Sequence, residues 1–202
     1  MNTGAKIVLN VGGNDKAIPI PPYYNGWTHL MLDIDPRGKP DILCDARKLK
    51  TLEPEQVDAI YCSHNLEHYY AHDVPRVLQG FLHVLRTDGF IDIRVPDMRA
   101  VMQTMLENNL DIEDTLYVSN AGPITPRDVF YGYGLEIERT GQDFFAHKTG
   151  FTQKSLQNII RQNGFPYIFT RTGNMEVYAL AFKNIPSKEQ QRLLNLPPLP
   201  PQ

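Results

Sequence analysis

The chain is poor in cysteine and tryptophan and has no long apolar segment. Its 202 residues include only 2 cysteines and 1 tryptophan, and Cys44 and Cys62 lack the spacing of a zinc or redox pair. No segment approaches the roughly 20 apolar residues that a membrane span requires. Residues 1–6 lead almost directly into a strand-like run, which leaves no room for a signal peptide. We therefore expect a cytoplasmic protein with reduced thiols and no membrane partner.

Clusters of basic residues are absent as well. The formal net charge is −3 at pH 7, whereas a protein dedicated to nucleic acid usually carries a cationic stripe. Nucleic acid is therefore not an expected partner. A chain of this length can bury the core of one domain, and a second full domain would be cramped. We predict a single domain over residues 1–184 and a proline-rich, frayed tail over residues 185–202. The oligomeric state is not predicted.

Short apolar runs alternate with turn signals through most of the chain. The runs that predict the first five strands are residues 6–11, 28–34, 41–44, 57–62 and 90–95. Before the fifth run, apolar residues from Val74 to Leu85 repeat at helical spacing. Residues 167–170 and 177–182 predict a closing hairpin. Continuous apolar strands with helical connections are typical of a mainly parallel sheet covered on both faces. We therefore predict a Rossmann-like, doubly wound α/β fold.

The composition and periodicity of the sequence change after Pro96. Asp97 can cap a helix that carries Val101 and Leu106, and residues 119–148 are rich in glycine, proline, tyrosine and phenylalanine without periodicity. Irregular segments of this length in a compact domain usually serve as lids or binding loops. We predict a substrate-side insertion at about residues 99–148, whose aromatic residues can wall a substrate. Those aromatic residues are Tyr131, Tyr133, Phe144 and Phe145.

Small and polar residues follow the ends of the first four predicted strands, where ligands collect in doubly wound sheets. These residues are Asn10, Gly12, Gly13, Asp33, Asp35, Asp45, Ala46, Ser63 and His64. Glycines let a backbone approach a ligand closely. A carboxylate after the second strand can accept hydrogen bonds from ribose hydroxyls, and we favour Asp33 over Asp35 for this role. Asp45 can accept a hydrogen bond from an adenine amino group.

The residues after the two glycines indicate which kind of nucleotide fits. A dinucleotide site needs G-x-G-x-x-G at the start of a helix, but Pro19, Pro21 and Pro22 disfavour a regular helix here. The acidic residues would also repel phosphates. A phosphate-free nucleoside that carries a sulfonium cation fits this pattern better.

The order of these motifs resembles that of the class I S-adenosylmethionine-dependent methyltransferases, in particular small-molecule enzymes of the type 11 kind. The matching segments are residues 8–13, 32–35, 45–46, 57–68 with its Leu-Glu-His, and 86–90. Asn14 stands where many relatives have a further glycine or small residue. The resemblance implies S-adenosylmethionine as cofactor and methyl transfer to an oxygen or nitrogen of a small-molecule acceptor. It also implies a seven-stranded, mostly parallel sheet with an antiparallel C-terminal strand.

A hydroxyl acceptor can need a base with a near-neutral pKa, which suits histidine. His64, at a strand end, and His147, where the irregular segment rejoins the core, are the catalytic candidates. Two other function classes stay open. One is a cofactor-binding module without turnover, and the other is an interaction partner in a biosynthetic complex.

The segment from His64 to His68 allows three interpretations. It satisfies H-x-x-E-H, a zinc-hydrolase signature, but it directly follows a predicted parallel strand rather than lying within a helix. It also resembles the E-x-x-E-H segment with which some quinone-type methyltransferases bind a divalent ion, with His64, Glu67 and His68 at those positions. We favour the third interpretation, in which Glu67 and His68 fix the turn by hydrogen bonds and no metal is bound.

Overall fold

The predicted sheet is the centre of the structure, and the strands outside it form one small hairpin. The computed structural model describes residues 4–119 and 122–198. The strands are β1 (Ile7–Val11), β2 (Thr28–Asp33), β3 (Ile42–Leu43), β4 (Val57–Ser63), β5 (Leu85–Pro96), β6 (Tyr117–Ser119), β7 (Gly122–Ile124), β8 (Tyr167–Gly173) and β9 (Glu176–Phe182). The α-helices are α1 (Val74–Val84), α2 (Met98–Glu107), α3 (Pro126–Tyr131), α4 (Gly134–Thr140), α5 (Gln153–Gln162) and α6 (Lys188–Leu193).

Seven strands form the main sheet in the order β3-β2-β1-β4-β5-β9-β8. The pairs among β1 to β5 are parallel, and β9 runs antiparallel to both β5 and β8. The remaining two strands, β6 and β7, pair with each other inside the predicted insertion. The predicted fold class, a Rossmann-like and mostly parallel seven-stranded sheet with an antiparallel C-terminal strand, is confirmed.

One face of the sheet is covered by helices. Side chains alternate between the two faces along a strand, so Leu9, Ile60 and Ile91 point to the same side and join the larger core cluster. Helix α1 contributes its predicted apolar stripe, and Phe81 is fully buried. Helix α5 contributes Leu156 and Ile160 to the same core cluster, while its polar residues face outwards. This face follows the expected helix-on-sheet packing.

The other face has no α-helix between β1 and β2, as the prolines predict. A 3₁₀ turn, Pro22–Tyr24, lies there instead, and aromatic side chains provide the cover. The Tyr24 ring stacks on Phe90 with 6.2 Å between centroids, and Trp27 contacts both rings edge-on. The expectation of helices on both faces is therefore only partly met, because local proline chemistry prevents the connection from being helical.

The C-terminal segment differs from the predicted proline-rich tail. Residues 188–193 form helix α6, which begins with a capping box between Ser187 and Gln190. Leu194, which is 9 % exposed, packs with Val8 and Phe182 on the aromatic face. The prolines at positions 197, 198, 200 and 201 all follow this helix, and residues 199–202 are outside the described part of the chain. The S-x-x-Q capping signal of Ser187 and Gln190 is the local sequence feature that indicates the helix.

Among the described residues no helix is long and apolar enough to cross a membrane.

We expect Leu194→Ala to destabilise the domain by about 2 kcal/mol, because it removes a buried side chain that holds α6 on the sheet. Urea unfolding followed by circular dichroism measures this change. Leu106→Ala is the matched control: Leu106 is 83 % exposed, and its truncation should alter stability by no more than about 0.5 kcal/mol. Equal effects of the two substitutions would show that α6 does not contribute to the core.

Candidate functional site

The carboxyl ends of β1, β2 and β4 meet at one edge of the sheet. Val11 of β1 pairs with Leu32 of β2, and Asn10 pairs with Tyr61 of β4. The Gly12 amide continues the β1–β2 ladder by donating to the Leu32 carbonyl at 2.8 Å. Because the three strands are parallel and in this register, the polar residues that follow them are brought together, as the sequence predicts.

A cavity opens at this edge, and we call it the strand-edge pocket. Five predicted residues line it: Gly12, Asp33, Asp35, Asp45 and His64. The other four predicted cofactor residues, Asn10, Gly13, Ala46 and Ser63, are not among its lining residues. The structure adds eight lining residues that are not among the predicted cofactor residues: Asn14, Ile34, Arg47, Asn65, His68, Tyr69, Tyr70 and Lys148. Phe144 and Phe145, which the sequence predicts to wall a substrate, line this cavity as well.

The glycine turn after β1 has no room for larger side chains. Gly12 has φ +73°, and a Cβ at this position would lie 2.1 Å from Nδ2 of Asn65. A Cβ on Gly13 would lie 2.4 Å from Nδ2 of Asn10. The Asn10 side chain thus packs directly against Gly13. Asn14 has φ +58°, a conformation that asparagine tolerates better than most residues, which explains how it replaces a glycine here.

The two acids after β2 have different environments. Asp33 accepts backbone hydrogen bonds from Asn14 (3.0 Å) and Asp35 (2.9 Å), one on each carboxylate oxygen. Asp35 is bound side-on by the Arg37 guanidinium, and this hydrogen bonding holds the pKa of Asp35 below its usual range. Each oxygen of Asp33 accepts one hydrogen bond and keeps a second lone pair, whereas each oxygen of Asp35 accepts two hydrogen bonds from Arg37. Ile34, between them, is 44 % exposed and offers an apolar surface.

Asp45 caps the 3₁₀ segment Ala46–Thr51 and pairs with Arg47, with 2.6 Å between Oδ2 and Nη2. Burial raises the pKa of Asp45, but the Arg47 hydrogen bonds outweigh burial and lower it. Arg47 also reaches Asp73 at 3.3 Å, so its charge is shared between two carboxylates. Ala46 is buried beneath this segment.

A second cavity lies beside the first, and we call it the insertion pocket because residues 117–147 supply most of its wall. Tyr117, Asp128, Tyr133 and His147 line it from the insertion, and Glu176 lines it from β9. His64 lines both cavities. The predicted substrate-side insertion therefore forms one wall of a pocket, and His64 stands between that pocket and the glycine turn.

His64 is held between two carboxylates. It takes φ +49° at the end of β4, and its Nε2 lies 2.5 Å from Oε1 of Glu176, while its Nδ1 lies 3.6 Å from Oε1 of Glu67. Desolvation lowers the pKa of His64, but the two carboxylates outweigh desolvation and raise it to about 10. The ring is therefore an imidazolium at neutral pH. A predicted base role requires an unprotonated ring, which this environment disfavours.

Glu67 is fully buried among three histidines. Neither carboxylate oxygen has a hydrogen-bond partner among the described residues. Burial raises the pKa of Glu67, but the charge of His64, with smaller contributions from His68 and His147, lowers it overall. Its backbone carbonyl accepts from Lys148 (2.8 Å) and Thr149 (3.2 Å). These two bonds tie the end of the insertion to the turn after β4.

The zinc-hydrolase interpretation of residues 64–68 lacks its structural context. That signature presents both histidines on one face of an α-helix. Here the helical part is a single 3₁₀ turn, Leu66–His68, and His64 lies outside it with a left-handed backbone. His64 also faces Glu176 rather than His68.

Comparisons with known proteins agree with this architecture. Residues 30–93 match the family model described as a methyltransferase domain. The search of curated proteins finds no match. A crystal structure from Pyrococcus horikoshii OT3 aligns with a TM-score of 0.58 and 13 % identity, over 90 % of this chain and 83 % of that one. An S-adenosylmethionine-dependent methyltransferase from Archaeoglobus fulgidus aligns with a TM-score of 0.55 and 15 % identity, over 88 % and 86 %.

A third similar structure was solved with ligands. It is the Burkholderia thailandensis 1,6-didemethyltoxoflavin-N1-methyltransferase with bound 1,6-didemethyltoxoflavin and S-adenosylhomocysteine, which aligns with a TM-score of 0.52 and 16 % identity, over 88 % of this chain and 70 % of that one. At these identities the structural likeness establishes the fold. Together with the family model over residues 30–93, it supports the predicted resemblance to the class I methyltransferases.

We expect the His64 ring to remain protonated well above neutral pH in metal-free protein. NMR titration of the histidine ring signals should give a midpoint near 10 for this residue. Because the folded pKa lies above the ordinary value of 6.5, the stabilisation from this charge is complete below about pH 6.5 and is lost as pH rises through about 10.

Glu176→Gln removes the nearer carboxylate and should lower that midpoint. A midpoint that does not change in Glu176→Gln would contradict the assigned electrostatics.

Proposed function

We propose that this chain, whose fold is that of the class I S-adenosylmethionine-dependent methyltransferases, transfers the methyl group of S-adenosylmethionine to an amine or hydroxyl of a small-molecule acceptor. One observation carries the proposal: the strand-edge pocket and the insertion pocket share His64 as a common wall. A bound cofactor and an acceptor in these two cavities would face each other there. Holding two reactants in line is most of what methyl transfer asks of a protein.

The residues of the strand-edge pocket suit the cofactor. Gly12 exposes its backbone to the pocket at a position where a Cβ would displace Asn65. Asp33 offers carboxylate oxygens to ribose hydroxyls, and Ile34 gives an apolar surface for a purine. Asp45 lies within the same pocket and is proposed to accept from the adenine amino group, which would take the place of one of the Arg47 hydrogen bonds on this carboxylate. The cofactor, when bound, supplies the electrophilic methyl group.

The insertion pocket favours a methyl-accepting substrate whose polar groups donate hydrogen bonds to the protein. Asp128 and Glu176 are among its lining residues, and no lysine or arginine is found among those that the structure describes there. Burial raises the pKa of Glu176, but His64 and Tyr178 outweigh burial and lower it, so the side chain is ionised. His64 contributes one positive charge to this lining, against the two carboxylates of Asp128 and Glu176, so the balance favours an amine or a hydroxyl over a phosphate or a carboxylate.

His64 and His147 remain the proposed residues closest to the reacting groups, with roles that differ from a simple base. His64 holds Glu176 in place as an imidazolium. His147 uses Nδ1 towards the Val129 carbonyl at 2.7 Å, and its Nε2 faces Glu67. Neither ring therefore presents a free lone pair to the insertion pocket. A neutral amine, which carries its own lone pair, fits such a site well.

Gly12→Ala should weaken binding of S-adenosylhomocysteine at least about 10-fold, because the new Cβ collides with the Asn65 side chain in the turn. Isothermal titration calorimetry measures the affinity. Gly26→Ala is the matched control: Gly26 also has a positive φ, +83°, but a Cβ there meets nothing within 4 Å. It imposes comparable backbone strain with no clash and should leave affinity nearly unchanged.

If the wild-type chain binds neither S-adenosylmethionine nor S-adenosylhomocysteine, the proposed function is wrong. If both glycine variants weaken binding equally, backbone strain rather than the pocket is responsible, and the pocket assignment fails.

Turnover distinguishes an enzyme from a cofactor-binding module. We expect S-adenosylhomocysteine to form when the full chain is incubated with S-adenosylmethionine and a panel of small amines and polyols. Glu176→Gln should reduce that rate at least about 10-fold while leaving cofactor affinity within about twofold, because Glu176 faces the acceptor. Glu189→Gln, which changes an exposed carboxylate paired with Lys6, is the control and should retain the wild-type rate.

Cofactor binding without turnover on any member of the panel would instead favour the module. A loss of cofactor affinity in Glu176→Gln equal to the loss of rate would contradict the division into two pockets.

A further inference from the structure

We propose that Glu67, His68 and His147 form a binding site for a divalent transition-metal ion of the zinc type. One ligand atom from each of the three residues lies within 4.8 Å of the others. This inference goes beyond the proposed methyl transfer and does not depend on it, because it concerns the arrangement of these three side chains and not a bound cofactor or acceptor.

The backbone holds these three residues together. Glu67 and His68 belong to the 3₁₀ turn after β4, whereas His147 comes from the end of the insertion. The amides of Lys148 and Thr149 donate to the Glu67 carbonyl, and the His147 amide donates to the Tyr131 carbonyl at 3.0 Å. Backbone hydrogen bonds therefore hold His147 and the two residues after it, and the backbone places the His147 side chain at the cluster.

The three side chains present hydrogen-bond acceptors to one another and few hydrogen-bond donors. Nδ1 of His68 lies 3.1 Å from the Ala146 carbonyl, and Nδ1 of His147 lies 2.7 Å from the Val129 carbonyl. Since a carbonyl only accepts, both Nδ1 atoms carry the proton. A neutral ring then presents a lone pair at Nε2, and Nε2 of His147 lies 4.0 Å from Oε1 of Glu67.

Glu67 supplies the strongest reason for a cation. Its side chain has no exposed surface, and both oxygens lack hydrogen-bond partners among the described residues. A buried carboxylate in this state is costly. The His64 ring stands 3.6 Å away, beyond hydrogen-bond range, and directs its short bond to Glu176 instead. A metal ion between Glu67, His68 and His147 would satisfy the buried oxygens directly.

The donor set selects the class of ion. Two imidazole nitrogens and one carboxylate are typical of zinc and neighbouring transition metals, whereas magnesium and calcium prefer oxygen ligands throughout. A histidine that donates its second ring N–H to a backbone carbonyl is the usual outer-shell arrangement of metal-binding histidines. Zinc ligands lie at about 2.0–2.2 Å from the ion, so the three ligand atoms, which lie within 4.8 Å of one another, would move closer together on binding.

The ligand set also differs from the one that the sequence suggests. The local motif offers His64, Glu67 and His68, but His64 is engaged by Glu176 and lies outside the turn. His147 takes its place from the insertion, and it also lines the insertion pocket. A fourth coordination position would remain for water or an acceptor atom.

Titration of the full chain with Co²⁺, after dialysis against a chelator and without S-adenosylmethionine, tests the site. We expect one Co²⁺ per chain, with visible d–d absorption that added Zn²⁺ abolishes by competition. Glu67→Gln and His147→Gln should each weaken Co²⁺ binding at least about 10-fold. His72→Gln is the control, because His72 is 79 % exposed outside the cluster, and its affinity should equal that of the wild type.

Circular dichroism establishes that each variant is folded, and Glu67→Gln keeps the size of the buried side chain. The proposal is overturned if the wild-type chain shows no stoichiometric Co²⁺ binding. It is equally overturned if folded Glu67→Gln binds as tightly as wild type, or if His72→Gln weakens binding as much as His147→Gln. Since no cofactor or acceptor is present, failure here leaves the methyl-transfer proposal intact, and the reverse also holds.

Discussion

The parallel pairing of β1 with β2 on one side and β4 on the other determines where the residues that follow these three strands lie in the strand-edge pocket. Parallel strands end at the same edge of a sheet, so residues that are distant in sequence become neighbours there. Gly12, Asp33 and His64 follow three different strands and still line one cavity. The pairing itself follows from apolar runs that are buried on both faces, such as residues 57–62 in β4.

A second constraint joins the insertion to this edge. The Glu67 carbonyl accepts two amides from the segment after His147, and this links the turn after β4 to the far wall of the insertion pocket. The link explains why the two cavities share His64 rather than lying apart. It also places three histidines around one buried carboxylate, an arrangement that neither the β4 turn nor the insertion contains alone.

The sequence is sufficient for those features that depend on local chemistry. Strand positions follow from apolar runs, the missing helix between β1 and β2 from its prolines, and five of the nine predicted cofactor residues from their place after a strand. The other four do not line the cavity. Asn10 contacts the glycine turn from behind, and Ala46 is buried under the segment that Asp45 caps.

Features that depend on distant pairing could not be predicted in the same way. The contact between Glu67 and His147 joins residues that are far apart in the chain. The packing of helix α6 on β1 and β9 depends on apolar contacts that its local capping box does not specify. Asp45 and Arg47 are close in sequence, but the strength of their ion pair depends on how far the folded protein buries the two side chains.

The protonation of His64 shows that the chemical role of a residue depends on its surroundings in the folded protein and not only on its position in the sequence. A histidine at the end of a strand beside a cofactor pocket is a natural candidate for a base. Here β9 brings Glu176 within 2.5 Å, and the turn brings Glu67 within 3.6 Å. Two carboxylates stabilise the imidazolium, so the ring is a fixed cation that orients Glu176 and closes the wall between the cavities. The acidic character of the insertion pocket then rests on Glu176, and the nucleophile must bring its own lone pair or lose its proton elsewhere.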